Sequence, residues 1–298
     1  DMCISNVSAD TVSILLGNGD GSFGPQQEVA VGEGPYGITV IDRDGDGDQD
    51  IVLANRDADH VSVLDNDGAG FFTLDHTFLG GGDYERVAWA ADMDEDGILD
   101  IVVGTQDSNR VIVHKGNGDG TFSWLADQDC GGPVRTLVCG DLNGDGHEDI
   151  ATANGLGNSA GVMFGNGDGT LQPVVLYTEG NFTGATDLAD LDGDGDLDWS
   201  LSHFLGDWVI LENDGNGGFT ETDAFPAPEV ASCSILADLD RDGDVDLVLV
   251  DEFADEVYIR RNDGSPGVPG DVNGDGMVDV DDLIAVSYTH LTLPTKVT

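Results

Sequence analysis

A motif that returns five times at a period of about 49 residues most constrains what this chain can fold into. It reads DRDGDGDQD from Asp42, DMDEDGILD from Asp92, DLNGDGHED from Asp141, DLDGDGDLD from Asp190 and DLDRDGDVD from Asp238. A second series runs in phase: LGNGDGSF ends at Phe23, NDGAGF at Phe71, GNGDGTF at Phe122, GNGDGTL at Leu171 and NDGNGGF at Phe219. Two markers in step define a repeat, and such a unit buries its apolar face against the next copy. Between the markers the apolar segments are short and bounded by Gly, Asn and Asp, the punctuation of strands rather than helices. In one unit, GITVI (37–41) enters the acidic loop and IVLAN (51–55) leaves it. HVSVL (60–64) follows a polar turn, and FFTLDHTF (71–78) follows the NDGAG hairpin. That is four antiparallel strands per repeat.

The run after each acidic loop (IVLA, IVVG, IATA, WSLS or LVLV) is almost wholly apolar, as in a strand buried on both faces. One four-stranded sheet cannot cover both its faces, so successive sheets must stack. The expectation is an all-β fold, a β-propeller of four-stranded antiparallel blades over residues 1–264, with a linear solenoid as the alternative. About six blades are visible. DMCISN and TVSILLGNGDGSF align with DIVLAN and HVSVLDNDGAGF, so the first blade is expected to be partial, and the last is expected to lack an outer strand before SPGVPG.

The chain has 59 acidic against 10 basic residues, a formal charge of −49. Nucleic acid and anionic membrane surfaces need a basic face and are excluded as partners. The 39% hydrophobic content, gathered in compact runs, argues against disorder. No apolar stretch reaches the roughly 18 residues of a spanning helix.

The acidic loops give the charge a purpose. Each follows D-x-[DN]-x-D-G-x-x-D, placing oxygen donors at positions 1, 3, 5 and 9, with a backbone carbonyl available at position 7. The predicted ligands are Asp42, Asp44, Asp46, Asp48 and Asp50 in the first loop, and Asp92, Asp94, Asp96, Ile98 and Asp100 in the second. The third offers Asp141, Asn143, Asp145, His147 and Asp149; the fourth Asp190, Asp192, Asp194, Asp196 and Asp198; the fifth Asp238, Asp240, Asp242, Asp244 and Asp246. Hard oxygen donors in a small flexible ring suit Ca2+ better than the stricter octahedron of magnesium, so one calcium per loop is expected. Without a cation, two such carboxylates 4 Å apart repel by about 4 kcal/mol at an effective dielectric near 20. Glycine at position 6 (Gly47, Gly97, Gly146, Gly195, Gly243) is expected at positive φ.

Position 12 separates these loops from EF-hands, which need an acid there. The five carry Leu53, Val103, Thr152, Leu201 and Leu249, and so exit into strands. A sixth loop, DVNGDGMVDVDD (271–282), has Asp282 at position 12, with Asp271, Asn273, Asp275 and the carbonyl of Met277 as further ligands. It is expected to exit into a helix through DDLIAV. The GNGDG hairpins lack a terminal acid and a following Lys-Ser/Thr pair, and read as tight turns rather than metal or phosphate sites.

With these motifs the chain resembles the FG-GAP/VCBS family, the integrin-α-like propeller repeats. The resemblance implies a calcium-stabilised propeller, usually extracellular or at the cell surface, used in adhesion and in carbohydrate or protein binding, and attached to varied enzymes. It carries calcium ligation onto Asp42, Asp44, Asp46 and Asp50 and their equivalents. Glu95 and Arg241 depart from it, replacing Gly at loop position 4. After a linker at 265–269, residues 270–286 resemble the first half of a dockerin-type repeat, which implies a cohesin-like partner. The stretch 287–298 abandons the acidic style and is set aside as a non-native tail. The chain opens on Asp1 without a signal segment, so any secretion signal is expected to lie upstream or to be absent.

Three functions follow. The chain is a secreted binding module for a glycan or extracellular protein, an accessory portion of a polysaccharide-degrading enzyme, or a catalytic propeller. No catalytic residue and no organic cofactor site separates from the repeat pattern. His60, His76, His114 and His203 lie in or beside strands, where packing or a surface role is expected. Trp89, Trp124, Trp199 and Trp208 are candidates for sugar contact but read first as blade packing. Cys3, Cys130, Cys139 and Cys233 show no Cys-x-x-Cys spacing and read as core residues, although Cys130 and Cys139 would suit a disulfide in an exported chain.

Overall fold

The computed structural model describes residues 1–177, 182–262 and 284–287. These form six antiparallel sheets, the first three-stranded and the others four-stranded, each with its strands in chain order. Sheet 1 is Met2–Asn6, Thr11–Leu15 and Gln27–Ala30. Sheet 2 is Pro35–Ile41, Asp50–Asn55, His60–Asn66 and Phe72–Leu79. Sheet 3 repeats the pattern with Glu85–Ala91, Asp100–Thr105, Arg110–Gly116 and Phe122–Asp129, and sheet 4 with Val134–Gly140, Asp149–Asn154, Ser159–Met163 and Val175–Tyr177. Sheet 5 is Thr183–Ala189, Asp198–His203, Asp207–Asn213 and Phe219–Pro226. The fold class is all-β, built of β-propeller blades.

Contacts divide the chain into two compact units, Asp1–Asp141 with Asp145–Tyr177, and Leu142–Gly144 with Thr178–Thr298. Within the first, the second strand of each four-stranded sheet is buried along its whole length. The two-residue period of a strand explains how. Ile51 and Leu53 face sheet 1 and pack with Val12 and Ile14, while Val52 and Ala54 face sheet 3 and pack with Ile101 and Val103. Val102 in turn meets Leu137 and Ile150 of sheet 4. Each of the Val, Ile and Leu side chains stabilises the stack by roughly 1.5–3 kcal/mol. The outer strands, such as Phe72–Leu79, instead alternate toward solvent. In the second unit Trp208, Ile210 and Phe225 pack with Leu247, Leu249 and Tyr258.

Sheet 6 differs from expectation. Its strands Cys233–Ala237, Asp246–Asp251 and Glu256–Arg260 are followed by a fourth, Ile284–Ser287, paired antiparallel with Glu256–Arg260. The segment expected to begin a helix is therefore a strand. The third strand offers a row of unpaired backbone groups, and the short apolar segment IAVS supplies the partner. The sixth loop itself, with Asp271, Asn273, Asp275, Met277 and Asp282, lies outside the described residues, as do the 265–269 linker and 288–298. Among the described residues no helix is long and apolar enough to cross a membrane.

Candidate metal centres in the acidic loops

Each acidic loop leaves the first strand of its sheet and returns into the second, and its carboxylates do three different jobs. The position 1 aspartate holds the turn. Asp42 accepts from the N–H groups of Gly45 and Gly47 (2.9 and 3.1 Å), Asp190 from Gly193 and Gly195 (2.8 and 3.1 Å), and Asp238 from Arg241 and Gly243 (2.6 and 3.2 Å). The position 5 aspartate accepts from the N–H at position 7 in every loop, 2.9 to 3.1 Å, as Asp96 does from Ile98. Glycine at position 6 has φ between +85° and +105°, a region that L side chains avoid.

Position 9 is a buried staple. Asp100 is fully buried and accepts from Met93 N–H at loop position 2 (3.0 Å) and from Gly116 N–H at the end of the third strand (2.8 Å). Asp50, Asp198 and Asp246 make the same pair of bonds, to Arg43 and Asn66, Leu191 and Asn213, and Leu239 and Asn262. Asp149 accepts from Gly165 N–H at 2.7 Å. Burial pushes Asp100 and Asp198 up to about 6 against these hydrogen bonds.

The remaining oxygens converge. Asp42, Asp44 and Asp46 each bring a carboxylate oxygen within 4.8 Å of the others, as do Asp92, Asp94 and Asp96, and Asp190, Asp192 and Asp194. In the fifth loop the set is Asp238, Asp240 and Asp246, so position 9 joins it there alone among the four. The third loop has an amide, Asn143, where the others have a second carboxylate. The donor set fits a hard cation. Asp94 Oδ1 and Asp196 Oδ1 are buried without a hydrogen-bond partner among the described residues. Burial, then Asp194 and Asp198, push Asp196 up to about 6. Basic side chains approach the same loops: Lys115 Nζ contacts Asp94 and Asp96, His147 Nδ1 contacts Glu95, and Arg261 Nη1 lies 3.0 Å from Asp240. Arg43, at position 2 of the first loop and buried, is ringed by Asp44, Asp50, Asp65 and Asp75.

Position 4 carries a signal that sequence reasoning passed over. Gly45, Gly144 and Gly193 have φ of +78°, +73° and +80°, and Glu95 and Arg241 occupy the same left-handed region at +58° and +66°. The hairpins behave as turns. Asp20, Asp119 and Asp168 each accept from the N–H and hydroxyl of the residue two positions on. Trp199 and Trp208 are buried, as packing predicts, whereas Trp124 is 60% exposed and Trp89 36%, contrary to that expectation. His114 is buried, its Nε2–H donating to Gly80 O at 3.0 Å, which is a packing role. All four cysteines are free, so Cys130 and Cys139 do not pair.

Comparison with known proteins agrees with this architecture. No curated protein matches the chain. Among solved structures, a lectin from Agrocybe aegerita that recognises non-reducing terminal N-acetylglucosamine is similar at a TM-score of 0.59 and 22% identity, over 88% of this chain and 76% of that one. A protein from Lactobacillus plantarum is similar at a TM-score of 0.64 and 19% identity, over 87% and 76%. The V. cholerae biofilm matrix protein Bap1 is similar at 0.51 and 17%, over 76% of this chain and 38% of that one. At these identities the likeness is one of fold. The model of the FG-GAP-like repeat matches residues 1–53, 42–103, 92–152 and 141–199, the last three windows each opening on the first aspartate of an acidic loop. Matched over most of its length and carrying the acidic loop in every matched window, the chain belongs to the FG-GAP-like repeat family.

Proposed function

We propose that this chain is an extracellular binding module in which calcium, one ion per acidic loop, rigidifies a propeller that presents a glycan- or protein-binding surface. The observation that carries the reading is the convergence of three carboxylate oxygens within 4.8 Å in four separate loops. Asp42, Asp44 and Asp46 would hold the ion in the first loop, the equivalent residues in the second and fourth, and Asp238, Asp240 and Asp246 in the fifth, with carbonyls at position 7 completing the set. The ion supplies charge neutralisation and no chemistry. Extracellular millimolar calcium suits such sites, since loops of this kind in extracellular modules bind at 10⁻⁴–10⁻³ M. Solved neighbours that include a lectin and a biofilm matrix protein support a role in recognition.

The test is calcium content and thermal stability of the purified chain. Elemental analysis should find several calcium ions per chain, and chelation should lower the melting temperature. At a calcium concentration of 100 Kd each loop contributes about 2.7 kcal/mol. An unchanged melting temperature on chelation of calcium-loaded protein would sink the reading.

A further inference from the structure

The repeats are near-identical where the acidic loops lie and differ at the other end of the same strands. Six residues before the first loop aspartate stand Tyr36, Arg86 and Arg135 in sheets 2, 3 and 4, where the next two repeats have Gly184 and Ser232. Six residues after the last loop aspartate stand Arg56 and Gln106. The first strands of sheets 2, 3 and 4 lie side by side. Gly37 makes the closest approach, since a Cβ there would come within 2.6 Å of Val87 Cα and Arg86 O. These variable positions are thereby brought together within one compact unit.

Three of the chain's eight arginines meet there. The Arg86 guanidinium lies 4.3 Å from the centre of the Tyr36 ring, and that of Arg56 lies 5.8 Å from Tyr36 and 5.1 Å from Tyr84. Arg86 is only 8% exposed. Its Nη1 donates to the neutral Gln106 Oε1 at 2.8 Å, and its Nε has no partner among the described residues. Burial lowers its pKa, and the charges of Arg135 and Arg56 lower it further. Arg56 is held by Asp57, at 2.9 and 3.1 Å. In a chain with 59 acidic residues, a buried guanidinium that has no carboxylate within ion-pair distance among the described residues is an anomaly. A buried charge is costly unless an opposite charge meets it. Packing does not demand the arginine, because the same repeat position accepts Gly184 and Ser232.

The geometry points to a binding site for an acidic sugar residue, with Arg86 and Arg135 taking its carboxylate and Tyr36 and Tyr84 lying against its ring. The guanidinium fork matches a carboxylate in two parallel hydrogen bonds. Half-exposed tyrosine rings beside an amide supply the mixed apolar and polar wall that such a ligand needs. The net charge of −49 does not forbid this: acids beyond about 8 Å are screened at physiological salt, and of the nearer ones Asp57 is paired with Arg56 and burial pushes Glu85 up to about 7, which leaves Asp59 and Asp83 beside Tyr84 as the charges an acidic ligand must tolerate. It does select against a long polyanion and favours a short saccharide with one acidic group. The inference rests on the glycan reading of the module and deepens it.

Calorimetric titration of the full calcium-loaded chain tests it, with a galacturonate trisaccharide, the neutral maltotriose, sodium acetate, sodium sulfate and a short glutamate peptide as probes. The uronate is expected to bind at least 10-fold more tightly than each of the others. Arg86→Gln and Arg135→Gln should each weaken it at least 10-fold without lowering the melting temperature, and Arg110→Gln should leave it unchanged. Should Arg86→Gln fail to fold, Arg135→Gln carries the test. Acetate, sulfate or the peptide binding as tightly as the uronate overturns the proposal, and so does equal loss in Arg110→Gln. Binding of maltotriose without the uronate overturns this site and leaves the glycan reading standing; binding of neither saccharide overturns this site, while the calcium-stabilised module stands or falls on the chelation test.

Discussion

The two ends of the inner strands were built under different rules. At the end that runs into the acidic loops, each repeat carries aspartate at positions 1, 5 and 9 and glycine at position 6, and nearly every side chain is accounted for by a turn, a staple or a convergent oxygen set. At the opposite end, about 20 Å away along a seven-residue strand, the equivalent positions hold Tyr36, Arg86, Arg135, Gly184 and Ser232. Sameness marks what the fold needs from every copy. Difference marks where a single copy is free to acquire a task.

The largest effect that would break this contrast lies at the staple. Asp100→Ala leaves two backbone N–H groups, those of Met93 and Gly116, without their acceptor, and should destabilise by about 4 kcal/mol. Denaturant unfolding should show this loss with and without calcium, whereas Asp96→Asn should reduce only the calcium-dependent part. Equal behaviour of the two would mean that positions 5 and 9 share one role.

At the opposite end stands a buried carboxyl that makes no ion pair among the described residues. Glu85 is fully buried, and burial, with Asp59 and Asp83 adding, pushes it up to about 7 from 4.5. A raised carboxyl pKa means that the folded state holds the proton longer, so the group's unfavourable contribution grows as pH rises from about 4.5 through 7. Glu85→Gln should therefore gain up to about 3 kcal/mol over the parent at pH 8 and nothing at pH 4. Melting curves across that range check it, and a gain at low pH would show the sign to be wrong.

The smallest effect concerns backbone strain. Arg241, at φ +66°, sits where three of the five repeats use glycine. Arg241→Gly should stabilise the chain by about 1 kcal/mol, read as a small rise in melting temperature. The same change at Glu95, at φ +58°, should gain less, because it also removes the contact with His147.

Much of this was legible from the repeat. Period and punctuation placed the strands GITVI, IVLAN, HVSVL and FFTLDHTF within a residue or two of Pro35–Ile41, Asp50–Asn55, His60–Asn66 and Phe72–Leu79. The oxygen sets at positions 1, 3 and 5 of the first, second and fourth loops followed from the same alternation. What stayed hidden was non-local. Nothing in DxDGDGxxD says that the ninth residue reaches the third strand, because that bond closes over some 16 residues between Asp100 and Gly116. The left-handed requirement at position 4 was masked by Glu95 and Arg241, which obey it at a cost. Trp124 and Trp199 look alike in sequence, and only the stacking of sheets decides that one is exposed and the other buried. The meeting of Tyr36, Arg86 and Arg135 was invisible because the repeat invites attention to what recurs.

The staple also has a kinetic meaning. Since Asp50, Asp100 and Asp198 tie their loops to the sheet through backbone hydrogen bonds and stand outside the convergent oxygen sets, these loops hold their turn by bonds that involve no cation. Less ordering then remains to slow capture, so under the proposed calcium reading an ion should load fast, its stabilising effect coming from neutralising the crowded carboxylates rather than from shaping the turn.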